Sequence, residues 1–136
     1  MEPTQKARIL VVDDEPDITT VMKRALEKSG YRVDAFNKPE QALSNFSNGC
    51  YDLLIIDVRM PKINGFQLYR EIRKKDSKVK ACFMTSFEVY REEFEKMFPD
   101  YDVKCFITKP FSIKDLQKIV ELELKRISGY DFARSI

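Results

Sequence analysis

Short apolar runs recur along this chain, separated by segments whose apolar residues repeat at helical spacing. Leu53-Leu54-Ile55-Ile56 is apolar on both alternating faces, which predicts a strand buried on two sides, and it ends on Asp57. Ile9-Leu10-Val11-Val12 reads the same way and also ends on acid, Asp13-Asp14-Glu15. Pro16 then suits a first helical position with an acidic cap ahead of it, and Ile18, Val21, Met22, Ala25 and Leu26 mark the buried stripe up to a stop at Ser29-Gly30. Arg32 to Phe36 alternates as an edge strand does, and Pro39 opens a short helix through Ala42, Leu43 and Phe46 that Asn48-Gly49 closes.

Beyond Asp57, Met60-Pro61 and Asn64-Gly65 are loop chemistry, so the carboxylate stands at the C-terminal mouth of its strand. Phe66, Tyr69 and Ile72 mark a third helix, and Val79 to Met84 is a fourth strand ending on Thr85-Ser86. A fourth helix is expected from Ser86, with Phe87, Tyr90, Phe94 and Met97 on one side and Pro99 as its stop. Val103 to Ile107 is the fifth strand, followed by Thr108-Lys109-Pro110. Ser112 and Asp115 have the spacing of a capping box and open a last helix running to about Ser128-Gly129. Five strands alternating with five helices predict an α/β fold, a doubly wound five-stranded parallel sheet covered on both faces by right-handed crossovers.

With 136 residues the chain is long enough for one domain with a sizeable core. Residues 1–7 read as an N-terminal arm, 8–127 as the domain and 128–136 as a C-terminal tail. A net charge of +2, with basic residues scattered, gives no electrostatic case for direct nucleic-acid binding. The start is polar, and Ile9 to Val12 is too short for a signal peptide or a membrane span, so a cytoplasmic protein is expected. Cys50, Cys82 and Cys105 are odd in number and lack a short paired spacing, which predicts buried reduced thiols rather than a disulfide or a zinc site. There is no histidine. Nucleophile-histidine dyads and phosphohistidine-carrier roles are therefore excluded, and any chemistry rests on carboxylates, hydroxyls and lysines.

All strand C-termini of a parallel sheet open on one edge, where open α/β sheets bind their ligands. That edge collects Asp13, Asp14, Asp57, Thr85, Ser86 and Lys109, whereas the second strand contributes only Asn37 and Lys38. Carboxylates held close repel one another, and a hard divalent cation such as Mg2+ relieves them. A metal-bound acidic site with a lysine opposite suits a phosphoryl group, and a carboxylate can itself be the nucleophile, giving an aspartyl phosphate. Three classes stay open on these residues: a phosphoacceptor switch, a pure interaction module of the same fold, and a magnesium-dependent hydrolase or nuclease. Asp57-Val58-Arg59 disfavours the last, because a cation stands where such enzymes favour a second acid.

The combination of Asp13-Asp14, Asp57 with Met60-Pro61 and Asn64-Gly65, Thr85, and Lys109-Pro110-Phe111 resembles the response-regulator receiver domains of two-component signalling. The resemblance implies a flavodoxin-like (βα)5 fold with strand order 2-1-3-4-5. It further implies that Asp57 is the phosphoacceptor, and that Asp14, Asp57 and the backbone carbonyl of Arg59 bind magnesium directly while Asp13 acts through a bound water. Thr85 is then the hydroxyl that moves to the phosphoryl oxygen, Lys109 the phosphate-binding lysine with a cis bond to Pro110, and Phe106 the aromatic that changes rotamer. The implied partners are a histidine kinase or histidine phosphotransfer protein, which brings the phosphohistidine, and a downstream protein reading the face of the fourth and fifth helices and last strand. Catalysis is limited to the domain's own phosphotransfer and autodephosphorylation.

The chain departs from the family pattern in ways that carry expectations. Phe98 to Asp102 replaces the small turn usual before the fifth strand, and Phe106 lacks the hydroxyl of a tyrosine. Arg59 and Phe87, two residues past Asp57 and Thr85, flank the phosphoryl group in this family, and here they predict slow self-dephosphorylation. On the last helix Ile113, Leu116, Val120, Leu124 and Ile127 form the core stripe, while Leu122 lies nearly opposite, as a homodimer or partner face does and as a plain exposed leucine also does.

Overall fold

The computed structural model describes residues 7–86, 92, 95–96, 103 and 105–126. The element order among them is β1 (Arg8–Val12), α1 (Pro16–Lys28), β2 (Arg32–Phe36), α2 (Pro39–Asn45), β3 (Leu53–Asp57), α3 (Gly65–Lys75), β4 (Lys80–Thr85), β5 (Cys105–Thr108) and a C-terminal helix (Ile113–Lys125). All five strands are parallel, in the order β2-β1-β3-β4-β5. This is the expected doubly wound sheet. The apolar stripe proposed for the fourth helix, Phe87 to Met97, lies outside the described residues, as do most of the arm, the tail and Ile127.

Every residue of β3 is buried, because helices cover the strand on both faces. Leu54 and Ile56 face the core under α2 and α3, and Leu53 and Ile55 face the core under α1 and the C-terminal helix. Burying each such side chain stabilises the fold by about 2 kcal/mol. Asp57, at the end of this strand, is thereby carried to the sheet's C-terminal edge on a support that has no room to shift.

Several local expectations are corrected. Val21 is 48% exposed, and the buried polar position on α1 is Thr19, whose hydroxyl donates to the Pro16 carbonyl at 3.0 Å. Glu15 occupies the N-cap of α1 without a capping bond from its side chain, since Pro16 leaves one fewer amide to satisfy and the Glu15 carboxylate lies 3.6 Å from Lys109 instead. The C-terminal helix stops at Lys125, short of Ser128. Lys80 donates to the terminal carbonyls of Glu123, Leu124 and Arg126, and Arg126 turns extended to pair with the buried Glu123 at 2.8 Å. Ile113 is half exposed, and Leu122 is exposed as its position opposite the stripe required.

The cysteine expectation is overturned for one pair. Cys82 and Cys105 are bonded as a disulfide, whereas Cys50 is free and half-buried. Their separation in sequence conceals that they are register partners on neighbouring parallel strands, with Cα atoms 4.5 Å apart, side by side in one core layer.

Candidate functional site

Three loops at the C-terminal edge build the site. Asp13 and Asp14 follow β1, Asp57 closes β3, and Lys109 follows β5. Asp13 is fully buried, Asp57 nearly so and Asp14 half-buried, and each offers a carboxylate oxygen within 4.8 Å of the others. The Lys109 ammonium lies 2.8 Å from Asp13 Oδ2, 3.4 Å from Asp57 Oδ1 and 3.6 Å from Glu15 Oε1. The peptide bond from Lys109 to Pro110 is cis, as expected, and the Lys109 amide donates to the Thr85 carbonyl at 2.9 Å. That bond ties the lysine's loop to the end of β4, where Thr85 is buried.

The charges are not balanced. Burial is the main force raising the Asp57 pKa to about 6, the Asp13 charge adds to it, and Lys109 opposes both. Asp13 is likewise raised, chiefly by burial, against the hydrogen bonds from Lys109 and the Glu15 amide. For Lys109, burial works against the ammonium, but the hydrogen bond and charge of Asp13, with Asp57 and Glu15, prevail and raise its pKa. One lysine therefore serves a group of carboxylates whose charge it does not cancel. All-oxygen donors of high negative charge at this spacing fit a hard divalent cation, and Mg2+ suits them best because it binds through one or two carboxylates and keeps its waters.

Around this centre, Arg59 is exposed immediately past β3. Phe106 is partly buried against the core, with its ring 5.9 Å from that of Phe83. Phe87 lies outside the described residues. Glu15 and the pair Asn37 and Thr19 join the site in the structure without a sequence motif that marks them. Asn37 Nδ2 donates to the Asp13 carbonyl and to Thr19 Oγ1, both at 2.9 Å. The available signal was a threonine in the apolar stripe of α1 and an asparagine at the end of β2.

Gly65 closes the site from behind. Its amide donates to the Val58 carbonyl at 2.8 Å, and α3 begins there with a complete capping box between Asn64 and Gln67. A side chain at this position has no space, because a Cβ lies 2.3 Å from the Asp57 carbonyl oxygen.

A family model described as the response regulator receiver domain matches residues 9–121. The transcriptional regulatory protein RprY of Bacteroides fragilis is 30% identical over 92% of this chain and 52% of its own length. The alkaline phosphatase synthesis transcriptional regulatory protein PhoP of Bacillus subtilis is 32% identical over 88% of this chain and 49% of its own. The chain thus spans about half the length of the curated relatives it matches. Among solved structures, the response regulator TrrA from Thermotoga maritima, in complex with Mg(2+)-BeF, is 35% identical with a TM-score of 0.72 over 85% of this chain and 97% of that one. The non-phosphorylated HemR receiver domain from Leptospira biflexa superposes with a TM-score of 0.80 at 28% identity, over 93% of this chain and all of its own. Among the described residues no helix is long and apolar enough to cross a membrane.

Proposed function

The chain belongs to the response-regulator receiver domain family of two-component signalling, and on that premise we propose that it is a magnesium-dependent switch phosphorylated on Asp57. The observation that carries this reading is the position of Asp57: a buried carboxylate at the end of the central strand, within 4.8 Å of two further acids and 3.4 Å from Lys109. Asp14 and Asp57, with the backbone carbonyl of Arg59, are the proposed direct ligands of magnesium, and Asp13 acts through a metal-bound water. When bound, the ion neutralises charge on the acids and on the incoming phosphoryl group. TrrA, at 35% identity, has been solved with Mg(2+)-BeF, which supports this assignment.

The Asp57 carboxylate forms the new bond to phosphorus as the bond to the donor breaks. Because this chain has no histidine, the phosphohistidine comes from a histidine kinase or histidine phosphotransfer protein, and the imidazole leaves with that partner. Lys109 exchanges its carboxylate contacts for a phosphoryl oxygen, and the Thr85 hydroxyl donates to another. Thr85 and Phe106 then shift the population of states on the face formed by β5, the C-terminal helix and the helix expected after Ser86, where a downstream protein reads the signal. The domain catalyses its own phosphotransfer and dephosphorylation, with no substrate turnover beyond that, and it works in the cytoplasm.

The test is intact mass after incubation with a small phosphodonor. One phosphoryl group per chain is expected with magnesium, and none with a chelator or in Asp57→Asn. Absence of any adduct on the wild-type chain favours the interaction module, and turnover of a phosphate ester far beyond one equivalent favours the hydrolase. Solution mass of wild type beside Leu122→Glu reads whether Leu122, 55% exposed on the C-terminal helix, meets a second copy.

Phosphate lifetime follows from Arg59 and Phe87. The exposed Arg59 guanidinium is able to pair with a phosphoryl oxygen, and Phe87, although outside the described residues, matches by position a family residue that flanks the phosphoryl group and affects access of the hydrolytic water. Loss of a charge-assisted hydrogen bond is worth about 1.5 kcal/mol. Arg59→Asn combined with Phe87→Glu is therefore expected to speed decay of the phosphoryl adduct about tenfold, and an unchanged decay rate rules the idea out.

A further inference from the structure

We propose that Asn37, at the end of β2, is a positioning residue for the cation-binding loop after β1. The inference rests on the magnesium site described above. The carboxamide has two N–H bonds, and the structure uses both. One goes to the Asp13 carbonyl and the other to Thr19 Oγ1, each at 2.9 Å. Thr19 hands the connection on, donating to the carbonyl of Pro16 at 3.0 Å. One side chain therefore grips the loop at its first residue and, through Thr19, at the first turn of α1.

The loop needs an external grip. Asp13 is fully buried beside two other carboxylates, and their mutual repulsion works to open the loop outward. Asp13 itself is further restrained by its amide on the Phe36 carbonyl at 3.2 Å, by the Glu15 amide on its Oδ1 at 2.9 Å and by Lys109, while the Glu15 carbonyl is held by the Ile18 and Thr19 amides of α1. Lys109 is the restraint that phosphorylation draws away. What then holds the Asp13 backbone is β2, through Phe36 and Asn37. Asn37 touches neither the proposed ion nor the phosphoryl group, so its action is indirect: it fixes the peptide that aims the Asp13 and Asp14 carboxylates. Outer partners of metal ligands typically change metal affinity by about 10- to 100-fold when removed.

The test is a calorimetric magnesium titration of Asn37→Ala, Asn37→Ser and Thr19→Val beside the wild type. Both Asn37 variants are expected to bind magnesium at least about tenfold more weakly, and Thr19→Val, which keeps the bond to Asp13, less than about fivefold. In the metal-free state, amide exchange at Asp13 and Glu15 is expected to quicken in the Asn37 variants. Their phosphorylation rate is expected to return to within about threefold of wild type once magnesium is saturating, which a general loss of structure does not allow. Unchanged magnesium affinity in both Asn37 variants overturns the proposal, whatever their melting temperatures. A wild-type chain that binds no magnesium overturns the site reading itself, and this inference with it.

Discussion

Replacing Asp57 with Asn is expected to stabilise the metal-free protein by about 3 kcal/mol at pH 7. Asp57 has an ordinary pKa of 3.8, and burial, reinforced by the Asp13 charge, lifts it to about 6 in the folded protein. A carboxyl group with a raised folded pKa binds its proton more tightly in the native state. Between pH 3.8 and about 6 the native chain therefore holds a proton that the unfolded chain has lost, and stability falls as pH rises through that window. By pH 7 the full penalty is present, and Asn, of the same size but uncharged, removes it. The gain over wild type shrinks to about 1 kcal/mol at pH 4.5, where native Asp57 is mostly protonated.

Urea denaturation at the two pH values, in chelator, measures this. Magnesium adds the second half of the prediction: it stabilises wild type by mass action and the variant much less, so the gap narrows as the ion is titrated in. A variant no more stable than wild type at pH 7 means that Lys109 already compensates Asp57, and that the site has no charge for a cation to relieve. The same substitution removes the proposed phosphoacceptor. Stability and function thus move in opposite directions at one residue, as expected where a carboxylate is kept ionised for its chemistry.

The sheet and the edge that gathers Asp13, Asp14, Asp57 and Lys109 are legible in the sequence because they depend on features local to each segment. An apolar run ending on Asp57, another ending on Asp13-Asp14, and a strand followed by Lys109-Pro110 each announce a strand and its C-terminal mouth, and parallel topology brings the mouths together. What stayed hidden depends on pairing across segments. No spacing rule places Cys82 opposite Cys105, because their juxtaposition is a matter of register between β4 and β5. Val21 fitted the helical stripe of α1, yet the helix is rotated so that Thr19 is inside, where Asn37 satisfies its hydroxyl. The pattern of the last helix runs past its real end because nothing near Arg126 in sequence reveals that Lys80, at the start of β4, caps its carbonyls. Asn64-Gly65 has the look of loop chemistry alone, and the closeness of Gly65 to the Asp57 backbone is invisible in sequence for the same reason.

That closeness makes Gly65→Ala the substitution with the largest expected cost. Helix α3 starts directly behind Asp57, and the added methyl lies 2.3 Å from the Asp57 carbonyl oxygen and 3.0 Å from both the Asp57 carbonyl carbon and Ile56 Cγ2. The first two obstacles are backbone of the central strand, which cannot rotate away as a flexible side chain does. Either α3 retreats, breaking the Gly65 amide's bond to the Val58 carbonyl, or β3 bends and carries Asp57 with it. Overpacking of this kind costs about 3 kcal/mol when the surroundings are rigid. A displacement of about 1 Å at a reacting group lowers a rate by about 100-fold. Thermal unfolding reads the first effect, and the phosphorylation rate at saturating magnesium and phosphodonor reads the second. If stability drops while the rate holds, α3 has given way and Asp57 has kept its place. A loss of both shows that the strand end moved, and wild-type values for both contradict the close approach itself.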